Sequence, residues 1–265
     1  MSALERHEAA SHAIPGREVR DLGHAVLLYD QRDYEPFWNR LQAVRWPEDR
    51  MGFDRRMVET LALFASLGRA PHVWPSPVHG SPHDLVARLL AEGFHDVGGG
   101  HVMVLVDEAA CGPVVAAEVP PGVTVEPVRT SSAMPDVDAD AMAGILVEAF
   151  GTLPDRRQEL AADLRRSLGD ARISLSLVRI DGEPAACAKA TTFDGFTYVS
   201  SVGTREAFRG RGLAALATRQ AVAEGRGRTP ATVYLGVFSG NAAALRVYDR
   251  LGFASVGESP DLLLD

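Results

Sequence analysis

The segment Arg209-Gly-Arg-Gly-Leu-Ala-Ala215 offers backbone chemistry before side-chain chemistry. Glycines at 210 and 212, then small Ala214 and Ala215, let an anion approach the main chain. If a helix starts there, its free N–H groups point at that anion and its dipole adds about half a positive charge. Arg205, Arg209, Arg211 and Arg219 surround the segment. From Arg205 to Arg228 there are six arginines and two acids, Glu206 and Glu224, in a chain of net charge −8. That local reversal signals a phosphate ligand. A solvated basic helix face with a flexible loop would have the same composition. A third reading is a dinucleotide-binding turn and a NAD-binding oxidoreductase, because Gly210-Arg-Gly212-Leu-Ala-Ala215 fits Gly-x-Gly-x-x-Gly/Ala. Against it, Arg205-Glu-Ala-Phe-Arg209 separates the strand from the first glycine. Ala231 to Phe238 also brings no acid to hold a ribose.

The second chemical segment is Asn241-Ala-Ala-Ala-Leu-Arg-Val-Tyr-Asp-Arg-Leu-Gly-Phe253. Asn caps a helix, Tyr248 lies about two turns on along the same face, and Gly252 closes the helix. Taken alone, Tyr248 reads as a packed aromatic.

Together the two segments resemble the GNAT superfamily of acyl-CoA N-acyltransferases. Arg209-Gly-Arg-Gly212-Leu-Ala214 is similar to its pyrophosphate loop, Gln/Arg-x-x-Gly-x-Gly/Ala. Asn241, Tyr248 and Gly252-Phe253 are similar to its later motif, and the order and the intervening strand also fit. The resemblance covers about 123–265. It implies a GNAT fold: a mixed, mostly antiparallel sheet flanked by helices, in the α/β (α+β) class. It implies acetyl-CoA as co-substrate and an N-acetyltransferase reaction on a primary amine of a small molecule or peptide. The strand ending Val202-Gly203-Thr204 would splay from its neighbour and pair with the pantetheine arm. Arg209 to Ala215, chiefly the amides of Arg211, Gly212, Ala214 and Ala215 with Gly210 and Leu213 between them, would hold the pyrophosphate. Asn241 would bond the pantetheine region, and Tyr248 would give a proton to the departing thiolate.

A base for the attacking amine is harder to name. The family often places an acid on the strand before the loop, but Phe196-Thr-Tyr-Val-Ser-Ser-Val202 has none. Tyr198 and Ser200 share a side with Val202 and could hold a water that takes the proton. Glu148, Asp155 and Asp194 are outside candidates on the acceptor side. A non-catalytic acyl-CoA-binding regulatory module therefore stands as the alternative to an enzyme.

These residues need elements to position them. In the second half, period and turn signals predict a strand at 123–125, helices at 138–150 and 155–168, and strands at 173–180, 185–192 and 196–202. Asp181-Gly182 and Asp194-Gly195 are hairpin turns. A helix at 213–223, a strand at 232–238 and a helix at 242–251 follow. The first half predicts a strand at 24–29, helices at 34–44 and 54–67, and a strand at 72–74. A helix is expected to open at Ser81-Pro82, with Gly93 ending it, before a strand near Val102. Pro and Gly between 108 and 122 mark a boundary, giving domains 1–120 and 121–265.

The run from Val102 back to His72 echoes Val233 to Phe253: strand, helix, Gly-Phe, strand. We read the first domain as a degenerate GNAT-like repeat. It lacks the glycine loop, and Leu89 stands where Tyr248 would be. All eight histidines lie at or before His101, yet His72, His79, His83 and His95 have no clear carboxylate partners, so no metal is expected. Two cysteines among 265 residues fit a reducing, cytoplasmic compartment. The net charge argues against nucleic acid, no apolar run is long enough for a membrane span, and no signal peptide is visible. The expected partner is a small-molecule amine, and the resemblance is compatible with a homodimer.

Overall fold

The computed structural model describes residues 2–78, 80–115, 119–129, 132, 135–227 and 231–265. Its elements run α1 (Ser2–Ala13), β1 (Glu18–Asp21), β2 (Val26–Tyr29), β3 (Arg40–Gln42), α2 (Arg50–Leu67), β4 (His72–Val73), α3 (Leu85–Ala91), β5 (His95–Asp96) and β6 (Gly100–Leu105). Then come β7 (Val123–Val128), α4 (Pro135–Phe150), α5 (Arg157–Leu168), β8 (Ile173–Ile180), β9 (Glu183–Phe193), β10 (Phe196–Thr204), α6 (Leu213–Arg226), β11 (Thr232–Phe238), α7 (Ala242–Arg250), β12 (Phe253–Ser259) and β13 (Leu262–Leu263).

Two mixed sheets result. Their strand orders are β1-β2-β3-β4-β13-β5 and β12-β6-β11-β10-β9-β8-β7. Two compact units form. One comprises Met1–Met103, Val237–Ala242 and Ser255–Asp265; the other comprises Val104–Gly236 and Ala243–Ala254. Both units are discontinuous, so a single cut at 120/121 does not separate them.

In the first unit, β3 and β4 are parallel and β1, β2 and β3 antiparallel, and β13 pairs with both β4 and β5. Trp46, Phe53, Phe64, Leu41, Leu85 and Leu262 share its core. The expected helix at 34–44 is not there. Pro36–Trp38 makes one 3-10 turn and Arg40–Gln42 forms β3. Its apolar spacing misled because the buried side is polar: Arg40 and Gln42 both bond the Glu8 carboxylate. The helix expected from Ser81-Pro82 begins later, at Leu85 with Asp84 at its N-cap, because Ser81 is bridged to Arg45. The α2 helix starts earlier than expected, since Asp49 caps it by accepting the Gly52 N–H at 2.8 Å.

In the second unit the strands fall close to expectation. Both hairpin turns carry positive φ at Asp181-Gly182 and Asp194-Gly195, the twist that a two-residue turn needs. The amphipathic α6 covers one sheet face and α4 the other. Thr192 and Thr197 share a hydrogen bond of 3.0 Å on the α6 face, where a Cβ on Gly225 would strike both side chains. Alternation then turns Tyr198 and Ser200 toward α4. No helix among the described residues is long and apolar enough to cross a membrane.

Candidate active site

Strands β10 and β11 pair in parallel from Phe196↔Thr232 to Val199↔Leu235. Beyond Val199 the registered pairs stop, while β10 continues to Thr204 against β9 alone. A register shift lies between Ser200 and Gly203: Ser200 opposes Lys189, and Gly203 opposes Cys187. One residue of β9 thus faces two of β10, which is a β-bulge. Ser201 takes φ +52° to make it. The bulge resets the alternation, so Gly203 faces α4. A Cβ there would meet Ala149 and Ile145 at 3.2 Å. Past Val199, the Ser200 to Thr204 edge of β10, which includes Val202, Gly203 and Thr204, has no registered pair with β11. The Ser200 and Thr204 hydroxyl oxygens are buried without a hydrogen-bond partner. The bulge itself had no sequence signal beyond Gly203.

A 3-10 turn at Glu206–Phe208 carries the chain from β10 to the glycine loop. Gly212 is the N-cap of α6 in the left-handed conformation, φ +76°, and Gly210 has φ +77°. Neither would meet an atom within 4 Å if it carried a Cβ. Backbone conformation, not space, therefore demands glycine. The loop is exposed, and Leu213 anchors the helix start in the core while Ala214 and Ala215 stay half-buried. The α6 N-terminus thus presents its first N–H groups to solvent, directly after the open edge of β10.

The arginines divide by task. Arg205 pairs with Glu148 at 3.2 Å and Glu183 at 2.6 Å. Arg219 donates to the Gly112 and Pro113 carbonyls, and Arg226 pairs with Glu108. These last two hold the 108–113 segment and do not serve the loop. Arg228 lies outside the described residues, as does His79. The exposed Arg209 and Arg211 remain beside the glycines.

Tyr248 is 6% exposed and packs edge-on to Phe253, with ring centroids 5.9 Å apart. Burial pushes its phenol up to about 12. Asn241 lies directly before α7, in the 237–242 segment of the first unit. Tyr198 stacks on Tyr234 at 5.0 Å, and a Cβ on the exposed Gly236 would stand 3.9 Å from its hydroxyl.

The carboxylates fare differently. Glu148 accepts the Glu206 N–H and the Arg205 guanidinium, which hold its carboxyl below the usual range. Its task is to fix the turn before the loop. Asp155 is exposed in a 3-10 turn between α4 and α5. Asp194 sits in the β9–β10 hairpin, roughly 20 Å before Ser200 along the strand. In the first unit, ligand atoms of Glu48, His83 and Asp84 lie within 4.8 Å of one another at the surface. Asp84 there is paired with Arg88 at 2.8 Å.

A mixed sheet whose parallel pair opens at a bulge, followed by a glycine-capped helix, agrees with the GNAT fold. Residues 140–253 match the model of the Acetyltransferase (GNAT) family. The chain is similar in structure to a GCN5-related N-acetyltransferase from Kribbella flavida (24% identity, 98% of this chain and 95% of that one covered, TM-score 0.69). A GCN5-related N-acetyltransferase from Sphaerobacter thermophilus is also similar (20%, 98% and 91%, 0.66). So is a tandem GNAT protein from the clavulanic acid biosynthesis pathway (18%, 82% and 71%, 0.61). At these identities the likeness establishes the fold, including its two-domain layout. Comparison with curated proteins finds no match.

Proposed function

We propose that the second unit transfers an acetyl group from acetyl-CoA to a primary amine by direct attack within a ternary complex. The observation that carries this reading is the succession of the open, bulged edge of β10 and the Gly212-capped start of α6. The first offers unpaired backbone to the amides of the pantetheine arm. The second offers N–H groups to the pyrophosphate, with Arg209 and Arg211 beside them.

At the bulge, the thioester carbonyl would lie against backbone donors that are already in place, and these would stabilise the tetrahedral oxyanion without reorganisation. Tyr248 stays protonated over the working range and would give its proton as negative charge grows on sulfur. Tyr198 and Ser200 would line the acceptor side. The first unit is read as a degenerate GNAT-like domain that shapes the protein and binds no acyl-CoA.

Calorimetric titration with acetyl-CoA, with NAD as control ligand, tests the reading. Saturable acetyl-CoA binding together with CoA release in the presence of amines is the expected result. NAD binding without acetyl-CoA binding would overturn it. Acetyl-CoA binding with no CoA release across amines would favour the regulatory module.

A further inference from the structure

One side of α4 packs on the sheet: Ala139, Met142, Ala143 and Leu146 are buried. Residues four apart on a helix share a face. Phe150 stands four beyond Leu146, so it continues that buried side by one more turn. Yet Phe150 is 51% exposed. The helix stops there, because Gly151 takes φ +62° and the Thr152 N–H returns to the Val147 carbonyl at 3.2 Å. Leu153 follows, 68% exposed, before the 3-10 turn that opens at Pro154. A capped helix end often buries a pair of apolar residues against each other. At these exposures more than half of each stays open.

Scattered exposed apolar residues are ordinary on a surface. What sets this pair apart is where α4 ends. A Cβ on Gly203 would meet Ile145 and Ala149 at 3.2 Å and Leu146 at 3.4 Å, so the last turns of α4 lie on the bulge of β10. Glu148 accepts the Glu206 N–H, which fixes the helix end to the turn after β10. Phe150 and Leu153 therefore lie beside the stretch of β10 that has no β11 partner. Tyr198, Ser200 and Gly203 face α4 from that strand. Charge is sparse there: β10 carries no acid, and Glu148 is already matched by Arg205 at 3.2 Å.

We propose that Phe150 and Leu153 form an apolar subsite for the acceptor, selecting a primary amine that carries a ring-sized apolar arm. This rests on the acetyltransferase reading above, which puts the thioester carbonyl at the bulge. An amine that attacks there from the α4 side trails its remaining atoms along Phe150 and Leu153. An apolar arm covers both side chains and removes their surface from water. A short amine or an amino acid leaves them wet, and a polyamine sets further charges against apolar surface.

The test uses the full chain, with CoA release read for 2-phenylethylamine, ethylamine, glycine and spermidine, and acetyl-CoA affinity read by calorimetry. In wild type, kcat/KM for 2-phenylethylamine is expected to exceed that for ethylamine by about tenfold or more, the worth of burying one phenyl ring. Phe150→Ser and Leu153→Ser should each cut that ratio by about threefold or more while keeping acetyl-CoA affinity and ethylamine turnover, which also report an intact fold. Val137→Ser is the control, since Val137 is an exposed apolar residue on the same helix, 54% exposed and about 20 Å from Phe150 along its axis. It should leave the ratio unchanged. A wild type that uses ethylamine, glycine or spermidine as well as 2-phenylethylamine overturns the apolar subsite and leaves the acetyltransferase reading standing. So does a ratio that neither Phe150→Ser nor Leu153→Ser changes, or one that Val137→Ser changes equally. A wild type that binds no acetyl-CoA, or releases no CoA with any of the four amines, overturns both.

Discussion

The Cys187 thiol donates to the carbonyl of Ser201 across 3.6 Å, at the residue where β10 leaves regular geometry. Ser201 has φ +52°, a conformation that a non-glycine residue holds only when its surroundings insist. A trans peptide points its C=O and the following N–H in opposite directions. Fixing the Ser201 carbonyl on Cys187 therefore turns the Val202 N–H away from that thiol. Cys187 is wholly buried, and burial pushes its thiol up to about 12. Cys187→Ala should lower stability by about 1–2 kcal/mol through the lost sulfur contacts and bond. That is a fall of several degrees in Tm for a chain of this size. Calorimetric melting at pH 7 checks it, and an unchanged Tm would mean that the thiol does not hold the bulge.

Gly212 gives a sharper test of the loop. A side chain there meets no atom, so Gly212→Val acts through the backbone, at about 1–2 kcal/mol for the left-handed conformation. If the α6 N-terminus holds the pyrophosphate, the helix start must shift to relieve that cost. Acetyl-CoA should then bind at least tenfold more weakly by calorimetry. Gly182→Val is the control: its φ is +83°, its Cβ would also meet nothing, and it sits in the β8–β9 hairpin. Equal losses in both variants would show that the effect is general destabilisation.

Tyr248 and Cys187 share a dependence on alkaline pH. Both are acids whose folded values are raised by burial, from ordinary values of 10 and 9 to about 12. In the unfolded chain they ionise first, so the unfolded state binds fewer protons above pH 9. Their stabilisation is complete below pH 9 and is lost as pH rises toward 12, on the order of 1 kcal/mol per pH unit for each group. Melting scans from pH 8 to 11 should show Tm falling from about pH 9 onward, and less steeply in Cys187→Ala. Tyr248→Phe should lower kcat at least tenfold, keep acetyl-CoA affinity, and leave the kcat profile between pH 6 and 9 unchanged in shape. A limb that vanishes in this range with Tyr248→Phe would contradict the buried, neutral phenol.

Much of the second unit was legible because local signals agreed with the fold. Asp-Gly turns, the helix period of Leu213 to Val222 and the Gly-Phe after Tyr248 each determined an element. Gly252 is one example: its φ of +84° ends α7 where the sequence put the stop. The first unit was less legible. Its buried Arg40 and Gln42 satisfy Glu8, far away in the sequence, and no periodicity rule anticipates a polar strand interior. The return of β13 to pair with β4 and β5 is likewise non-local. At the site, the glycine loop and Tyr248 could be read from type and spacing. The bulge and the Cys187 contact depend on register between strands, which single-strand patterns do not encode.

Register also decides what Glu148 does. It lies at the end of α4 against the last residues of β10, where it accepts the Glu206 N–H and pairs with Arg205. Its carboxyl is held below the ordinary range, so it is ionised throughout the neutral range and spends its lone pairs on the turn before the loop. Glu148→Gln keeps the size and one acceptor oxygen but removes the charge that Arg205 meets. Arg205 would keep Glu183 as a partner, so the turn should loosen but not collapse. The expected result is acetyl-CoA binding weakened about two- to fivefold, more at low salt than at high salt because the pair is partly exposed. The pH profile of kcat should keep its shape, since no proton of the reaction passes through this carboxylate. Loss of the acidic limb in Glu148→Gln, with acetyl-CoA affinity intact, would instead make Glu148 the base.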